Sequence, residues 1–186
     1  QYVVPGLVML AVINNAFLNS SSSLFQSKLN GTIVDLLVAP LGAVETLVAY
    51  IAAAVMRAAL VGSLVMFVAW LFTGMRPAHP WIALYFALGV SICFAFLGIL
   101  VALWAEKYDH LSFFPNFILT PFTFLGGVFY SVRMLPEPWQ TVSRANPLLY
   151  MVNGLRHGLL GASDVPVGAS AAALAVLLCV LGVGTT

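Results

Sequence analysis

Charge is what this 186-residue sequence has least of: Asp, Glu, Lys and Arg together make up 7%, where a soluble domain carries roughly 25%. The deficit excludes a water-soluble globule. With 62% apolar residues and a mean hydropathy of +1.04, the composition points to an integral membrane protein. The formal net charge is +1, so no basic patch exists to neutralise phosphates, and nucleic acid is excluded as a partner. Cysteine is also scarce. Cys93 and Cys179 stand in separate apolar runs without CxxC spacing, which suggests neither a disulfide framework nor a metal site, and both read as small buried hydrophobes. No GxxxxGK[ST], HExxH or GxSxG motif occurs. The sequence therefore offers no phosphate loop of its own for ATP, and it lacks the commonest signals of an intramembrane metalloprotease or serine hydrolase. His79, His110 and His157 fall in separate connections, where isolated histidines need no special partner. No catalytic residue and no metal site is expected.

What is present is apolar length. A helix rises about 1.5 Å per residue and the hydrocarbon layer is about 30 Å thick, so a span takes roughly 20 apolar residues. Candidate spans cover about 2–24, 47–72, 81–104, 113–130 and 168–184, which makes the fold class an all-α polytopic helical bundle. The first span is unusually polar, with Asn14, Asn15, Asn19 and the run Ser20 to Ser23; such groups avoid lipid and should face protein or a wet cavity. The third has a tryptophan at each end, Trp81 and Trp104, where an interfacial belt places them. The fourth holds Pro115, Pro121 and the pair Gly126–Gly127, so kinks or a break are expected. The chain starts at Gln1 within an apolar run and ends still apolar; it is read as a single transmembrane domain, 1–186, truncated at its N-terminus.

Arg57 is the one charge well inside a span, where an ionisable side chain costs about 2.5–3.5 kcal/mol on insertion scales. Two readings stand. Either it is a buried charge in a structural ion pair or a link in a conformational change, with Asn14 or Asn15 as hydrogen-bond partner, or it snorkels to the nearer interface. Ala54, Ala58 and Gly62 make two small-xxx-small steps that let another helix approach, a pattern of little weight in so alanine-rich a run.

The connections 73–80 and 105–112 are too short for a folded domain. In 25–43, Thr32 is placed to cap a short helix with Ile33, Leu36 and Leu37 on one face and Pro40 ending it. In 131–160, Pro136 and Pro138 favour one helix start, and Asn146 with Pro147 favours a second. Along the second helix Leu148, Met151, Val152, Leu155 and Leu159 line one face, and Asn153, Arg156 and His157 another, the pattern of amphipathic helices at an interface.

Taken in order, GGVFYSVRMLPEPW and NPLLYMVNGLR resemble the membrane-domain signature of type-2 permeases of ATP-binding cassette (ABC) exporters. The matching positions are the paired glycines, Leu135 with Pro136, then Pro147, Tyr150 and Arg156. GTIVDLLVAPLGAVE is similar to the same family's coupling segment, with Gly31, Asp35, Leu36, Leu37, Pro40 and Glu45 in place. The resemblance covers nearly the whole chain. It implies six spans in the full-length family, of which this chain holds five; a coupling helix over 25–43 seated on an ATPase; and a re-entrant helical pair over 131–160. It further implies pairing with a second permease subunit as a homodimer in the lipid bilayer of the cytoplasmic (inner) membrane. No cofactor would be bound by this chain, since ATP and Mg would sit on the partner ATPase. By resemblance, the substrate path is lined by Asn14, Phe17, Asn116, Thr120 and Phe124, and gated by Val128 and Phe129.

The function implied is export of an amphipathic, drug-like or lipidic substrate by alternating access. A lipid-linked glycan exporter is the alternative, and a non-transporting scaffold a more distant one. An ion-coupled carrier would show acidic or histidine relays in its spans, and these spans have none. The family orientation sets Lys28 and Lys107 inside against Arg76, Arg133, Arg144 and Arg156 outside, which opposes the positive-inside tendency. Whether Arg156 anchors its helix to lipid headgroups or pairs within the subunit is open at the level of sequence.

Overall fold

The computed structural model describes residues 2–34, 42–74, 77–129, 134 and 136–185. Among them every regular element is helical. In chain order these are α1 (Val4–Leu29), α2 (Ala43–Thr73), α3 (Pro80–Trp104), α4 (Tyr108–Phe113), the π-helical turn π1 (Phe114–Leu119), α5 (Thr120–Leu125), α6 (Glu137–Ala145), α7 (Pro147–Leu160) and α8 (Val167–Thr185). Helices α1, α2 and α3 are long and apolar enough to cross a membrane, and α8 is a shorter apolar helix.

At the centre stands α3, packed on α1, α2, α7 and α8. The core joins Met9, Ile13 and Phe17 of α1, Phe86 and Val90 of α3, and Leu155 of α7. Lipid tails are as apolar as these side chains, so close approach of backbones rather than hydrophobic burial holds such helices together. Small residues mark each contact. Ala54, Ala58 and Gly62 are the buried stripe of α2, and a Cβ at Gly62 would lie 2.8 Å from Cγ2 of Val12 on α1. The small-xxx-small pattern is thus the α1–α2 seam. Gly154 faces the Phe86 ring and Gly158 the Ala83 backbone, giving α7 a similar stripe against α3.

The serine run of α1 is reconciled with its apolar surroundings by bonding back to its own helix. Ser20 Oγ donates to the carbonyls of Ala16 (3.0 Å) and Phe17 (3.1 Å), and Ser27 Oγ to that of Ser23 (3.1 Å), so these hydroxyls are satisfied without water. Gly98 of α3 packs directly on Ser20.

Several boundaries differ from expectation. Helix α1 runs on to Leu29, so the first residues of the segment 25–43 continue the span. Gly31, at φ 73°, then turns the chain. The Thr32 hydroxyl donates back to the Ser27 carbonyl at 3.2 Å. Asp35, Leu36, Leu37 and Pro40 of the coupling segment, and Leu135, lie outside the described residues, as do Arg76 and Arg133. The fourth span is shifted: helix begins at Tyr108, anchored edge-on against Phe25 (5.4 Å), and stops at Leu125, where Gly126–Gly127 turns with Gly127 at φ 70°. Its break is a π turn, in which the Thr120 N–H bonds the Pro115 carbonyl one residue farther along than in an α-helix. Cys93 is buried as expected, whereas Cys179 lies on the exposed face of α8.

Most altered is α7. Ten of its residues are buried, Asn153 and Arg156 among them, so its polar side is sealed inside the bundle rather than lying at an interface.

Candidate functional site

A groove of about 210 Å³ lies between α1 and the π1–α5 stretch, lined by Leu10, Asn14, Leu119, Thr120, Phe124 and Phe129 among others. Its shape follows from the prolines and glycines. The wide π turn is held by Thr120 Oγ1 donating to the Pro115 carbonyl at 2.9 Å. The Gly126–Gly127 turn brings Phe129 back beside Phe124, with ring centroids 5.5 Å apart. Four of the residues singled out from the sequence, Asn14, Thr120, Phe124 and Phe129, therefore meet at one place.

Three others do not. Phe17 is fully buried and stacked on Phe114 at 5.2 Å; it supports the wall of π1 from behind, because it falls on the side of α1 that faces the core. Val128 is likewise 0% exposed, its backbone pressed against Gly6. Alternation about the turn sends Val128 into α1 and leaves only Phe129 at the groove. Asn116 is exposed but is not among the residues lining the groove.

Behind the groove is a polar cluster centred on Arg156, which is 1% exposed. Its NH2 donates to the Gly127 carbonyl at 2.7 Å and its NH1 to the Tyr2 hydroxyl at 2.8 Å. Asp164 Oδ2 lies 3.6 Å from NH1 and accepts from Tyr2 Oη at 2.9 Å. Asn153 shapes the loop that carries Asp164: its Oδ1 accepts from the Asp164 N–H (2.7 Å), and its Nδ2 donates to the Val165 carbonyl (2.8 Å) and Ser170 Oγ (3.2 Å). Arg156 thus pairs within the subunit. The only hint of this in the sequence is an Asp in the loop that follows an Arg-bearing apolar helix.

Arg57 is not the buried charge. It flanks the Ala54–Ala58–Gly62 stripe on the exposed side of α2 and donates to Asn19 Oδ1 at 3.0 Å, rather than to Asn14 or Asn15. Asn15 instead bonds the Ala11 carbonyl of its own helix at 2.9 Å.

The opposite end of the bundle, where the coupling segment begins, is tied together by Lys28, Ser27, Tyr50 and Glu45, of which only Glu45 was expected to have a role there. Lys28 Nζ donates to the Ala105 (3.0 Å) and Leu103 (3.3 Å) carbonyls at the C-terminus of α3, a favourable site for a cation. Ser27 Oγ meets Tyr50 Oη at 3.0 Å. Glu45 reaches back to the Gly42 N–H at 3.2 Å and so starts α2.

In the proline-started pair, Pro136 precedes α6 and Pro147 opens α7. Tyr150 Oη ties the two by donating to the Arg144 carbonyl at 2.9 Å. Asn146 caps α7 by accepting from the Leu148 N–H at 3.0 Å, while its Nδ2 donates to the Phe122 carbonyl of α5 at 2.6 Å. Losing a cap and a buried hydrogen bond together, Asn146→Ala is expected to cost roughly 2–3 kcal/mol, read as a lower melting temperature of the purified protein; Asn146→Ser, which keeps a capping oxygen without setting a second acceptor against the Phe122 carbonyl, should lose less.

A bundle of apolar spans joined at one end by a tied hairpin, with a groove at a helix break and a proline-started helix pair beside it, defines a polytopic helical membrane protein. The chain belongs to the ABC-2 type transporter family, whose model matches residues 1–160. It is 39% identical over 179 residues to the Inner membrane transport permease YadH of Escherichia coli (strain K12), covering 96% of this chain and 70% of that one. It is 34% identical over 98 residues to Nodulation protein J of Rhizobium meliloti (strain 1021), covering 50% of this chain and 37% of that protein. The protein is accordingly a multi-pass inner-membrane permease of an ABC transporter, a transport subunit rather than an enzyme.

Proposed function

We propose that this permease exports an amphipathic, drug-like or lipidic substrate by alternating access, working as a homodimer over a phosphate-loop ATPase that carries the ATP and Mg. The observation that supports it is the groove, where the Asn14 amide and Thr120 hydroxyl stand among Leu10, Leu119, Phe124 and Phe129. A few placed polar groups in an apolar, aromatic lining suit a molecule with one polar end and a greasy body. Among the described residues no acidic or basic side chain lines it, which favours a substrate without strong charge. Gly31, Asp35, Leu36, Leu37, Pro40 and Glu45 form the coupling segment in this reading, and Lys28 and Ser27 carry its motion to α3 and α2.

The test is made on the permease with its ATPase in proteoliposomes. Thr120→Trp places a large ring in the groove and should abolish transport and substrate-stimulated ATP hydrolysis, while the ATPase still co-purifies. Asp35→Lys or Leu36→Asp should instead lose the ATPase. Full transport by Thr120→Trp would remove the groove from the path, and undiminished ATPase binding by both coupling variants would remove the coupling assignment.

A further inference from the structure

Arg156 is a buried charge that the transport path does not use, yet it touches the backbone that shapes the path. The Gly127 carbonyl lies just past the end of α5, and the guanidinium reaches it at 2.7 Å. Gly127 is the residue at φ 70° that reverses the chain, and Phe129, two positions on, stands beside Phe124 at the groove. On its other side the guanidinium holds the Tyr2 hydroxyl (2.8 Å) and faces Asp164 (3.6 Å), with Cζ 4.1 Å above the Tyr2 ring centre. Asp164 is in turn fixed through its N–H by Asn153. One side chain therefore connects the loop between α7 and α8, the start of α1 and the glycine turn.

We infer that Arg156 is a positioning residue for the gate: its guanidinium fixes the Gly127 carbonyl, and with it the place of Phe129 over the groove, while Asp164 and Tyr2 hold the guanidinium in that pose. The inference rests on the proposed path and deepens it. Gly127 is buried at the turn, so releasing its carbonyl from the guanidinium removes a charge-assisted hydrogen bond from the backbone that carries Phe129. A planar fork can serve acceptors on two sides at once; the ammonium of a lysine is a point charge on a flexible stem and cannot keep both. Arg156→Lys thus retains the charge opposite Asp164 and discards the geometry.

The experiment uses the permease with its ATPase in lipid nanodiscs, with Cys93→Ala and Cys179→Ala as background and Phe129→Cys as reporter. The rate of labelling by a membrane-impermeant thiol reagent is followed with and without nucleotide. With Arg156 intact, two rates are expected, one for each state. With Arg156→Lys, the resting rate should rise roughly tenfold, as expected for loss of a charge-assisted hydrogen bond, and its nucleotide dependence should fall away. If Arg156→Lys keeps both rates, the positioning role is overturned. If the reporter shows no nucleotide dependence even with Arg156 intact, the path reading itself fails. Should Arg156→Lys not reach the membrane, Tyr2→Phe and Asp164→Asn decide: each should shift the resting rate in the same direction, and folded protein with unchanged rates in both would reduce Arg156 to a structural brace.

Discussion

Gly158→Ala is expected to leave little folded permease in the membrane, although it adds a single methyl group. A Cβ at Gly158 would lie 2.5 Å from the backbone nitrogen of Ala83 and 2.7 Å from its Cα. Backbone atoms of a packed helix cannot swing aside as a side-chain tip can. Nor can α7 back away cheaply, because the Gly158 carbonyl accepts from the His79 N–H at 2.8 Å and the Leu159 carbonyl from the Ala78 N–H at 3.1 Å. Overpacking costs about 1–3 kcal/mol and two stretched hydrogen bonds about 1 kcal/mol each, together a large share of the roughly 5–15 kcal/mol that holds a domain. Gly168→Ala is the control, since a Cβ there meets nothing within 4 Å. The measurement is the monodisperse fraction after detergent extraction, with the melting temperature of whatever survives. A Gly158→Ala protein that behaves like Gly168→Ala would mean that α7 does not sit on α3 as described.

The helices and their breaks were legible in the sequence because membrane spans announce themselves by length and because Pro and Gly act through local backbone geometry. Asn146 with Pro147 opens α7 with the cap those residue types favour, and Pro115 with Pro121 brackets a disturbed helix. The groove was partly legible, through Asn14, Thr120, Phe124 and Phe129. What periodicity could not give is the azimuth of each helix, since a nearly uniform apolar run carries no signal for which face meets protein and which meets lipid. Phe17 and Val128 were misplaced for that reason.

The same blindness left each arginine with two readings, and the structure decides them in an exchange. Arg57 sits in a long apolar run and could be read as buried or as snorkelling, yet the buried stripe of α2 is Ala54–Ala58–Gly62 and Arg57 stands exposed beside it. Arg156 sits in a short amphipathic helix and looked interfacial, yet α1, α3 and α8 enclose that helix. The exchange also bears on charge and topology. An arginine neutralised inside the bundle does not act as a loop charge, so Arg156 leaves the outer tally that opposed the positive-inside tendency.

Arg156→Met should be more damaging than the double variant Arg156→Met/Asp164→Leu would suggest by addition. A buried charge pair gains little over apolar groups of the same volume, but a buried charge stripped of its partner costs about 3–5 kcal/mol. In Arg156→Met, Asp164, itself half-buried, keeps the Tyr2 hydroxyl at 2.9 Å but loses the Arg156 guanidinium, and the Gly127 carbonyl loses that donor too. In Asp164→Leu, the guanidinium keeps Gly127 and Tyr2 but is left without an anion. The double variant removes both charges and chiefly costs the Gly127 carbonyl its guanidinium donor, a residual of about 1–3 kcal/mol. The two single losses should therefore exceed the double loss by a coupling of about 1–3 kcal/mol, within the range found for residues in one network. Chemical denaturation in a fixed lipid–detergent mixture, at constant protein concentration, reads all four corners of the cycle. Strict additivity would mean that Arg156 and Asp164 do not share the cluster's free energy and that Tyr2 and the Gly127 carbonyl alone hold the guanidinium; a coupling of the expected size makes the loop between α7 and α8 an energetic part of the turn that carries Phe129.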